Sequence, residues 1–266
     1  GDAGLGALIA CKLLKVKCVV DYRDEWEDYI TSITNHKTER LFYSVIKKLA
    51  TFLYAENQLV IAVTPNSVEA LKIRGLTNVK LIPNGADVKT FKPLSTRKKS
   101  KVFTMVYSGG VGGYYRLDIV VKSMRKLVDK ELNHIRLIVA GKGEIEKVLT
   151  LALRLGIPSN VEYIGAINDK AKLAYLLAEA DVGLIPYDDN PLWKNTTPAK
   201  FYEYCACGIP VVATVCTASP FATLIRKYRI GLTSPPIDEE KLAGTIYEIY
   251  KDKSFREAAG KRARLL

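Results

Sequence analysis

Short apolar runs alternate along this chain with segments whose apolar residues recur at helical spacing. Leu41, Val45, Leu49 and Leu53 lie four residues apart within 37–54 and would share one face of a helix. Continuous apolar runs are instead typical of strands that are buried on both faces of a parallel sheet. In the first third of the chain such runs predict strands at 16–21, 59–63 and 79–82.

The alternation restarts after residues 92–101, a segment of Pro, Ser, Thr and basic residues without periodicity. Strand–helix alternation of this kind predicts parallel sheets with helices on both faces. We therefore predict an α/β chain of two domains, residues 1–94 and 95–266, with an incomplete sheet in the first. The strands predicted for the second domain are 102–107, 135–140, 161–164, 182–186, 211–214 and 230–234.

Several glycines follow the predicted strands, and ligands of open parallel sheets bind beyond the carboxyl ends of the strands. Glycine allows a phosphate or a ring to approach the backbone closely, although tight strand-to-helix turns would explain each glycine taken singly. The spacing matches neither the G-x-G-x-x-G fingerprint nor a P-loop, which requires a following Lys-Ser or Lys-Thr. The candidate ligand-contacting residues at these strand ends are Gly109, Gly110, Gly112, Gly113, Gly141, Lys142, Gly143, Gly165 and Tyr187.

The segment 197–208 predicts a short helix that begins at the carboxyl end of a strand. Thr197 suits the N-cap and Pro198 the first helical position. The free N–H groups of Ala199 and Lys200, together with the Lys200 ammonium, would then point at one spot that suits a diphosphate. Glu203 lies one turn further on, within reach of the hydroxyls of an attached sugar. An ordinary amphipathic helix with a solvated Lys and Glu is the alternative.

The composition, 48% hydrophobic and 26% charged over 266 residues, is that of a globular protein. A net charge of +12 attracts phosphates of nucleotides, lipid head groups or nucleic acid, and it also serves solubility. Nucleic-acid binding is disfavoured, because the basic clusters lie in the 92–101 segment and on scattered helices rather than among aromatic residues. No apolar run reaches the roughly 18 residues needed to span a membrane.

The five cysteines predict neither a disulfide framework nor a metal site. They are odd in number and scattered, which favours a reducing, cytoplasmic compartment. Cys205 and Cys207 lack further ligands, because the two histidines, His36 and His134, are not at ligand spacing. We predict that both cysteines are small core residues, and we expect no metal.

A series of short motifs carries a resemblance that covers nearly the whole chain. They are Ile-Pro-Asn-Gly-Ala-Asp at 82–87 with Phe91 and Pro93, Leu-Ile-Val-Ala-Gly-Lys-Gly at 137–143, Val-Glu-Tyr-Ile-Gly at 161–165, Ala-Asp-Val-Gly-Leu-Ile-Pro at 180–186 and Glu-Tyr-Cys-Ala-Cys-Gly-Ile-Pro-Val-Val-Ala-Thr at 203–214. Taken in order, they resemble motifs of the family 4 glycosyltransferases, the group 1 glycosyl transferases. The resemblance implies a GT-B fold built of two Rossmann-like domains.

The resemblance also implies an activity. Enzymes of this family move a sugar from a nucleotide-sugar to an acceptor, usually with retained anomeric configuration and without a metal or other cofactor. The leaving diphosphate would be stabilised by Lys200, the amides of Ala199 and Lys200 and the Gly109–Gly113 loop. Glu203 falls where the family binds the ribose of a donor such as a UDP- or GDP-sugar.

Two positions depart from the family pattern, and one further segment matches a motif of a subgroup. A glutamate is usual eight positions before Glu203, where this chain has Asn195, which can hydrogen-bond a sugar hydroxyl but carries no charge. Tyr115 stands near the position of a usual lysine, and Arg116 is the nearest cation, which would either reach a phosphate or cover the surface. The segment Asp21-x-Arg23-Asp24-x-Trp26 resembles a motif of a subgroup that builds surface polysaccharides, and it makes Asp24 a candidate contact of the acceptor or the transferred sugar.

The expected function is thus a glycosyltransferase that acts on a lipid-linked or polysaccharide acceptor of the cell envelope, in the cytoplasm or peripherally at the inner face of the membrane. The basic helix 37–54 is a candidate contact with anionic lipid, or simply a domain helix with a solvated basic edge. The motifs also suggest a fragment that lacks the start of the first domain and the family's closing helix. A non-catalytic sugar-nucleotide-binding or partner subunit and a GT-B-type sugar-nucleotide epimerase are the alternative functions.

Overall fold

The computed structural model describes residues 2–23, 36–96, 100–113, 115–190, 193 and 196–266. The chain divides into two compact units between Asn84 and Gly85. Both units are built on parallel sheets, as the sequence predicts for an α/β fold.

The first unit, as far as it is described, holds a three-stranded parallel sheet of β1 (Val19–Tyr22), β2 (Leu59–Ala62) and β3 (Val79–Leu81), in that order. Its helices are α1 (Asp2–Leu13), α2 (Lys37–Ala55) and α3 (Pro65–Ile73). Thr64 caps α3 as the sequence suggests, because its side chain accepts a hydrogen bond from the Ser67 amide at 3.1 Å. The small core of this unit consists of Tyr22, Val60, Ala62, Leu71 and Leu76.

The second unit holds a six-stranded parallel sheet in the order β6-β5-β4-β7-β8-β9. The strands are β4 (Phe103–Val111), β5 (Ile135–Gly143), β6 (Val161–Tyr163), β7 (Val182–Pro186), β8 (Val211–Thr214) and β9 (Gly231–Ser234). The helices are α4 (Leu117–Val128), α5 (Ile145–Arg154), α6 (Lys170–Glu179), α7 (Ala199–Ala206), α8 (Pro220–Tyr228), α9 (Glu239–Lys251) and α10 (Lys253–Arg264). One large cluster of buried apolar residues lies on each face of this sheet.

The strand order reverses between β4 and β7, which are neighbours in the sheet although the strands β5 and β6 lie between them in sequence. In open parallel sheets such a reversal opens a crevice at the carboxyl ends of the two strands, because their following connections leave on opposite faces. The residues that follow β4 and β7 are therefore the ones that the topology brings together.

Two predicted strand ends are wrong. The sequence assigns the glycines after residue 107 and after residue 140 to loops, but β4 runs through Gly109 and Gly110 to Val111, and β5 runs to Gly143. The two strands stay paired to their ends, with Gly109 opposite Gly141 and Val111 opposite Gly143. The glycines lengthen this pair because they allow the two backbones to approach where side chains would collide.

The segment before the second sheet packs on the second unit, although the sequence predicts the domain boundary at 94/95. Phe91 is only 3% exposed and packs in the cluster around α7. The Arg264 guanidinium donates to the carbonyls of Phe91 at 3.0 Å and Ala206 at 2.7 Å, and so ties this segment to α10 and to the end of α7. The division consequently lies at Asn84 and Gly85, ten residues earlier.

Cys205 and Cys207 are buried in the apolar core on the α7 side of the sheet, as predicted. Burial raises the pKa of both thiols to about 12, so neither is reactive at neutral pH. Among the helices of the described residues, none combines the length and the apolar character that crossing a bilayer requires.

Candidate functional site

Helix α7 begins at the carboxyl end of the sheet, one residue later than the sequence predicts. Pro198, with extended backbone, is the N-cap residue and makes no side-chain capping bond, so the prediction of Thr197 as the N-cap is wrong. Proline suits this place because it has no N–H to satisfy and a fixed φ. Ala199 and Lys200 are the first two helical residues, and their N–H groups have no acceptor within the helix.

The side chain of Lys200 is buried, with 8% of the residue exposed, and its Nζ finds no hydrogen-bond acceptor among the described residues. The ammonium lies 3.7 Å from the ring centroid of Tyr115 and 4.1 Å from that of Tyr107. Burial lowers the pKa of Lys200 from its ordinary 10.5 to about 7, and the nearby Glu203 carboxylate opposes that change. A buried cation without an acceptor is costly unless an anion completes its surroundings.

Glu203 lies three residues after Lys200 on α7 and is half-buried. Burial raises the pKa of its carboxyl group, while Lys200 and Lys170 act in the opposite direction. A carboxylate one helical turn from a cation at a helix N-terminus can accept hydrogen bonds from hydroxyls of a ligand whose anionic part meets the cation.

The glycines predicted as ligand contacts lie side by side along the ends of β4 and β5. Gly109 adjoins the cation directly, because a Cβ at this position would lie 2.9 Å from Nζ of Lys200. Gly141 lies opposite Gly109, and its amide donates to the carbonyl of Gly165 at 2.9 Å. Gly165, Gly141, Gly109 and Lys200 thus form one continuous row.

The other predicted residues flank this row. Lys142 is exposed and pairs in register with Gly110, while Gly113 lies in open space after the strand. Gly112 touches the Glu144 side chain, since a Cβ here would lie 2.9 Å from Oε2. The structure therefore brings together Lys200, Glu203, Ala199, Pro198, Thr197 and all seven predicted glycines of the second unit at one edge of the sheet. Asp24 and Asn195 lie outside the described residues.

Tyr187 belongs to an aromatic column that the sequence did not reveal. Its ring stacks on Tyr115 at 5.4 Å and on Trp193 at 5.3 Å between centroids, with interplanar angles of 18° and 5°. Tyr107 meets Tyr115 edge-on at 5.6 Å, and its hydroxyl donates to the carbonyl of Gly110. A hydrophobicity pattern does not register this arrangement, because it does not report which rings meet in space.

The Arg116 guanidinium is hydrogen-bonded to Asp118. Its Nε and one terminal nitrogen each donate to the carboxylate at 2.8 Å, a bidentate arrangement at the start of α4. The hydrogen bond with Arg116 is the main cause that lowers the pKa of Asp118, and the same bond raises the pKa of the guanidinium. The described hydrogen bonds of the Arg116 side chain are thus those to Asp118, and its contact with a phosphate stays a prediction.

Arg23, next to the candidate Asp24, pairs with Asp21 in the first unit at 2.8 Å, with both side chains largely exposed. Asp21 lies within β1. This exposed pair contributes little to stability.

The second unit matches the sequence model of a known protein family. The sequence model of the family "Glycosyl transferases group 1" matches residues 88–266. A GDP-mannose-dependent alpha-(1-6)-phosphatidylinositol dimannoside mannosyltransferase of Mycobacterium tuberculosis is 29% identical over 169 residues, which are 60% of this chain and 42% of that protein. The chain therefore spans less than half the length of this curated relative.

Solved structures show the same architecture at low sequence identity. The chain matches sucrose-phosphate synthase of Thermosynechococcus elongatus with a TM-score of 0.73 and 20% identity, over 98% of this chain and 66% of the other. It matches Anabaena HepE in complex with UDP with a TM-score of 0.75 and 18% identity, over 99% and 71%. WaaG, a glycosyltransferase of lipopolysaccharide biosynthesis, matches with a TM-score of 0.70 and 16% identity, over 94% and 70%. These likenesses establish the GT-B fold.

Proposed function

The chain belongs to the group 1 glycosyl transferases, and on that premise we propose that it transfers a sugar from a nucleotide-sugar donor to a lipid-linked or polysaccharide acceptor. The observation that carries the proposal is the buried Lys200 ammonium, which lies beside Gly109 at the start of α7 without a described acceptor. This arrangement suits a dianionic diphosphate, which supplies the acceptors that the protein does not.

The proposed mechanism relies on charge stabilisation. As the bond between the sugar and the diphosphate breaks, negative charge grows on the leaving phosphate. Lys200 and the first two amides of α7 meet that charge, and Gly109 allows the phosphate to come close to the ammonium. We propose that these groups suffice without a metal or other cofactor, and that the anomeric configuration is retained.

Glu203 is proposed to fix the donor by accepting hydrogen bonds from the ribose hydroxyls. Its place three residues after Lys200 matches the distance between a diphosphate and its pentose, because one helical turn rises about 5 Å. The relative that uses GDP-mannose and the neighbour that holds UDP support a nucleotide-sugar as the donor class.

The first test is a thermal-shift screen against UDP-, GDP- and ADP-sugars, followed by a turnover assay in the presence of EDTA. We expect at least one donor to raise the melting temperature and Glu203→Gln to reduce its affinity about tenfold or more, because the ribose loses a charge-assisted acceptor. Glu179→Gln on α6, where the carboxylate is also half-buried, is the matched control for the change of charge. No shift with any donor would contradict the proposal. Binding without turnover would favour the non-catalytic subunit, and isomerisation of the free donor would favour the epimerase.

We also propose a peripheral contact with anionic membrane through α2. Leu41, Phe42, Val45, Leu49 and Phe52 are between 55% and 69% exposed on this helix. The basic residues on the same helix are Lys37, Arg40, Lys47 and Lys48. An apolar face bordered by lysine and arginine is the arrangement that lies in a membrane interface.

Binding to vesicles of phosphatidylcholine with 30% phosphatidylglycerol tests this contact (the vesicle composition is roughly that of an anionic bilayer surface). We expect Leu49→Glu to weaken binding about tenfold, because a charge would have to enter the apolar layer. Leu153→Glu is the matched control, because Leu153 is also a largely exposed leucine but lies on α5. Equal binding of the two variants would exclude α2 as the membrane contact.

A further inference from the structure

We infer that Tyr115 is a positioning residue that keeps the Lys200 ammonium charged and in place before the donor binds. Its ring is the nearer of two aromatic faces around the ammonium, at 3.7 Å from the centroid, and Tyr107 supplies the second at 4.1 Å. This inference deepens the proposed function and rests on it for the consequence on donor binding, but the state of Lys200 can be measured without any donor.

The burial of Lys200 works against the positive charge that the proposed function requires. Burial favours the neutral amine, and a neutral amine would neither attract a diphosphate nor stabilise its departure. Among the described residues the only charged group that acts on Lys200 is Glu203 on its own helix, while β4 contributes the ring of Tyr107 and the turn before α4 contributes the ring of Tyr115. The two ring faces therefore stabilise the ammonium in the place of hydrogen-bond acceptors.

Aromatic faces suit this task because they attract a cation without competing for it. The negative face of a ring stabilises an ammonium most strongly where water is excluded, as it is here. A carboxylate at the same distance would hold the ammonium more tightly, but it would also repel the incoming diphosphate. The rings leave the hydrogen-bonding capacity of the ammonium open toward Gly109, where a Cβ would lie 2.9 Å from Nζ.

Tyr115 is itself held in position. Its ring stacks on Tyr187, which in turn stacks on Trp193, and it bridges by backbone to both Gly112 and Tyr187. The Tyr187 carbonyl accepts a hydrogen bond from the hydroxyl of Thr214 at 2.7 Å, which ties the column to β8. The end of the sheet thus fixes the ring that lies against the cation.

The experiment measures the pKa of Lys200 by NMR in the full chain labelled with ¹³C at the ε carbon of lysine, with the signal assigned by its loss in Lys200→Met. We expect Tyr115→Leu to lower this pKa by about one pH unit, which is the size of a desolvated cation–π contact. Tyr115→Phe retains the ring face and should leave the pKa within about 0.3 of the wild type. Tyr228→Leu is the matched control, since Lys227 lies at 5.3 Å from that ring on the exposed side of α8.

Fluorinated phenylalanines at position 115 make the test independent of folding defects. They keep the shape of the ring and withdraw charge from its face, so the pKa of Lys200 should fall stepwise with each added fluorine. A pKa that does not change along the series would overturn the inference, whatever Tyr115→Leu does to the fold.

Binding of GDP-mannose then connects the pKa to the donor. With Lys200 titrating near pH 7, Tyr115→Leu should bind about tenfold more weakly than the wild type at pH 8 and within about twofold at pH 5.5, where both proteins are protonated. An equal loss at both pH values would show a merely structural role and overturn the inference. If neither GDP-mannose nor any other donor of the thermal-shift screen binds the wild type, the proposed donor class fails while the NMR result on Tyr115 stands.

Discussion

Replacement of Lys200 by Met should abolish most donor turnover and yet leave the protein as stable as the wild type or more stable. Removal of one preorganised charge-stabilising group costs roughly 10²- to 10³-fold in kcat. Met preserves the apolar stem and its packing against Tyr107 and Tyr115, and it removes a buried cation that has no described hydrogen-bond acceptor. Replacement of a buried charge by a well-packed apolar side chain is often neutral or stabilising.

The pH dependence of stability gives this prediction a second readout. Because the pKa of Lys200 is about 7 in the folded protein and 10.5 ordinarily, the unfolded chain binds more protons between these values. The free energy of unfolding of the wild type should therefore gain a contribution that rises from pH 7 to pH 10.5, at roughly 1.4 kcal/mol per unit where the two states differ by a full proton. Lys200→Met lacks this contribution.

Urea denaturation at pH 7 and pH 9.5, together with donor turnover, measures both effects. Lys172→Met on α6 is the matched control, because it removes an exposed lysine and changes the net charge equally. A Lys200→Met protein that is much less stable than the wild type at pH 7 would show that the ammonium is structurally paired, and full turnover would remove Lys200 from the site.

Gly141→Ala should destabilise the second unit strongly and remove donor binding with it. A Cβ at Gly141 would overlap the carbonyl oxygen of Gly109 and lie 3.0 Å from its carbonyl carbon, both backbone atoms of the paired strand. Neither strand can move away without breaking the pairing of β4 and β5, so the cost should be about 3 kcal/mol or more. That corresponds to a loss of roughly 10 °C in melting temperature for a unit of this size.

Gly110→Ala is the matched comparison. Gly110 lies on the partner strand β4, one register position beyond the Gly109–Gly141 pair, with nothing within 4 Å of the added methyl group. The melting temperature of Gly110→Ala should therefore stay within about 2 °C of the wild type. If the diphosphate approaches this backbone as proposed, Gly110→Ala should weaken donor binding without destabilising the fold. Equal melting temperatures for Gly141→Ala and the wild type would show that the strand pair adapts, contrary to the clash described here.

Part of the candidate site could be predicted from residue types and their order along the chain. It could be predicted that Lys200, Glu203 and the glycines at the ends of β4 and β5 lie close together, because a parallel sheet presents the carboxyl ends of its strands at one edge. The cap of α7 could not, since Thr197 and Pro198 are both good residues for a helix start, and the path of the chain decides between them. The contact of Lys200 with Tyr107 and Tyr115 could not be predicted either, because a sequence pattern does not report which rings pack against a side chain.

The positions of individual helices and strands could be predicted from local sequence, because periodicity is a property of neighbouring residues. An amphipathic repeat predicts α4 at 117–128, and an uninterrupted apolar run predicts β7 at 182–186. Contacts between residues far apart in sequence required the folded chain. Lys200 is 93 positions from Tyr107 and 85 from Tyr115, so only packing could reveal that two rings enclose its ammonium and that burial moves its pKa to about 7. The order of the amino acids thus determined which groups are available for chemistry, whereas tertiary structure decided their desolvation and mutual distances, because solvation and electrostatics depend on what surrounds a charge in space.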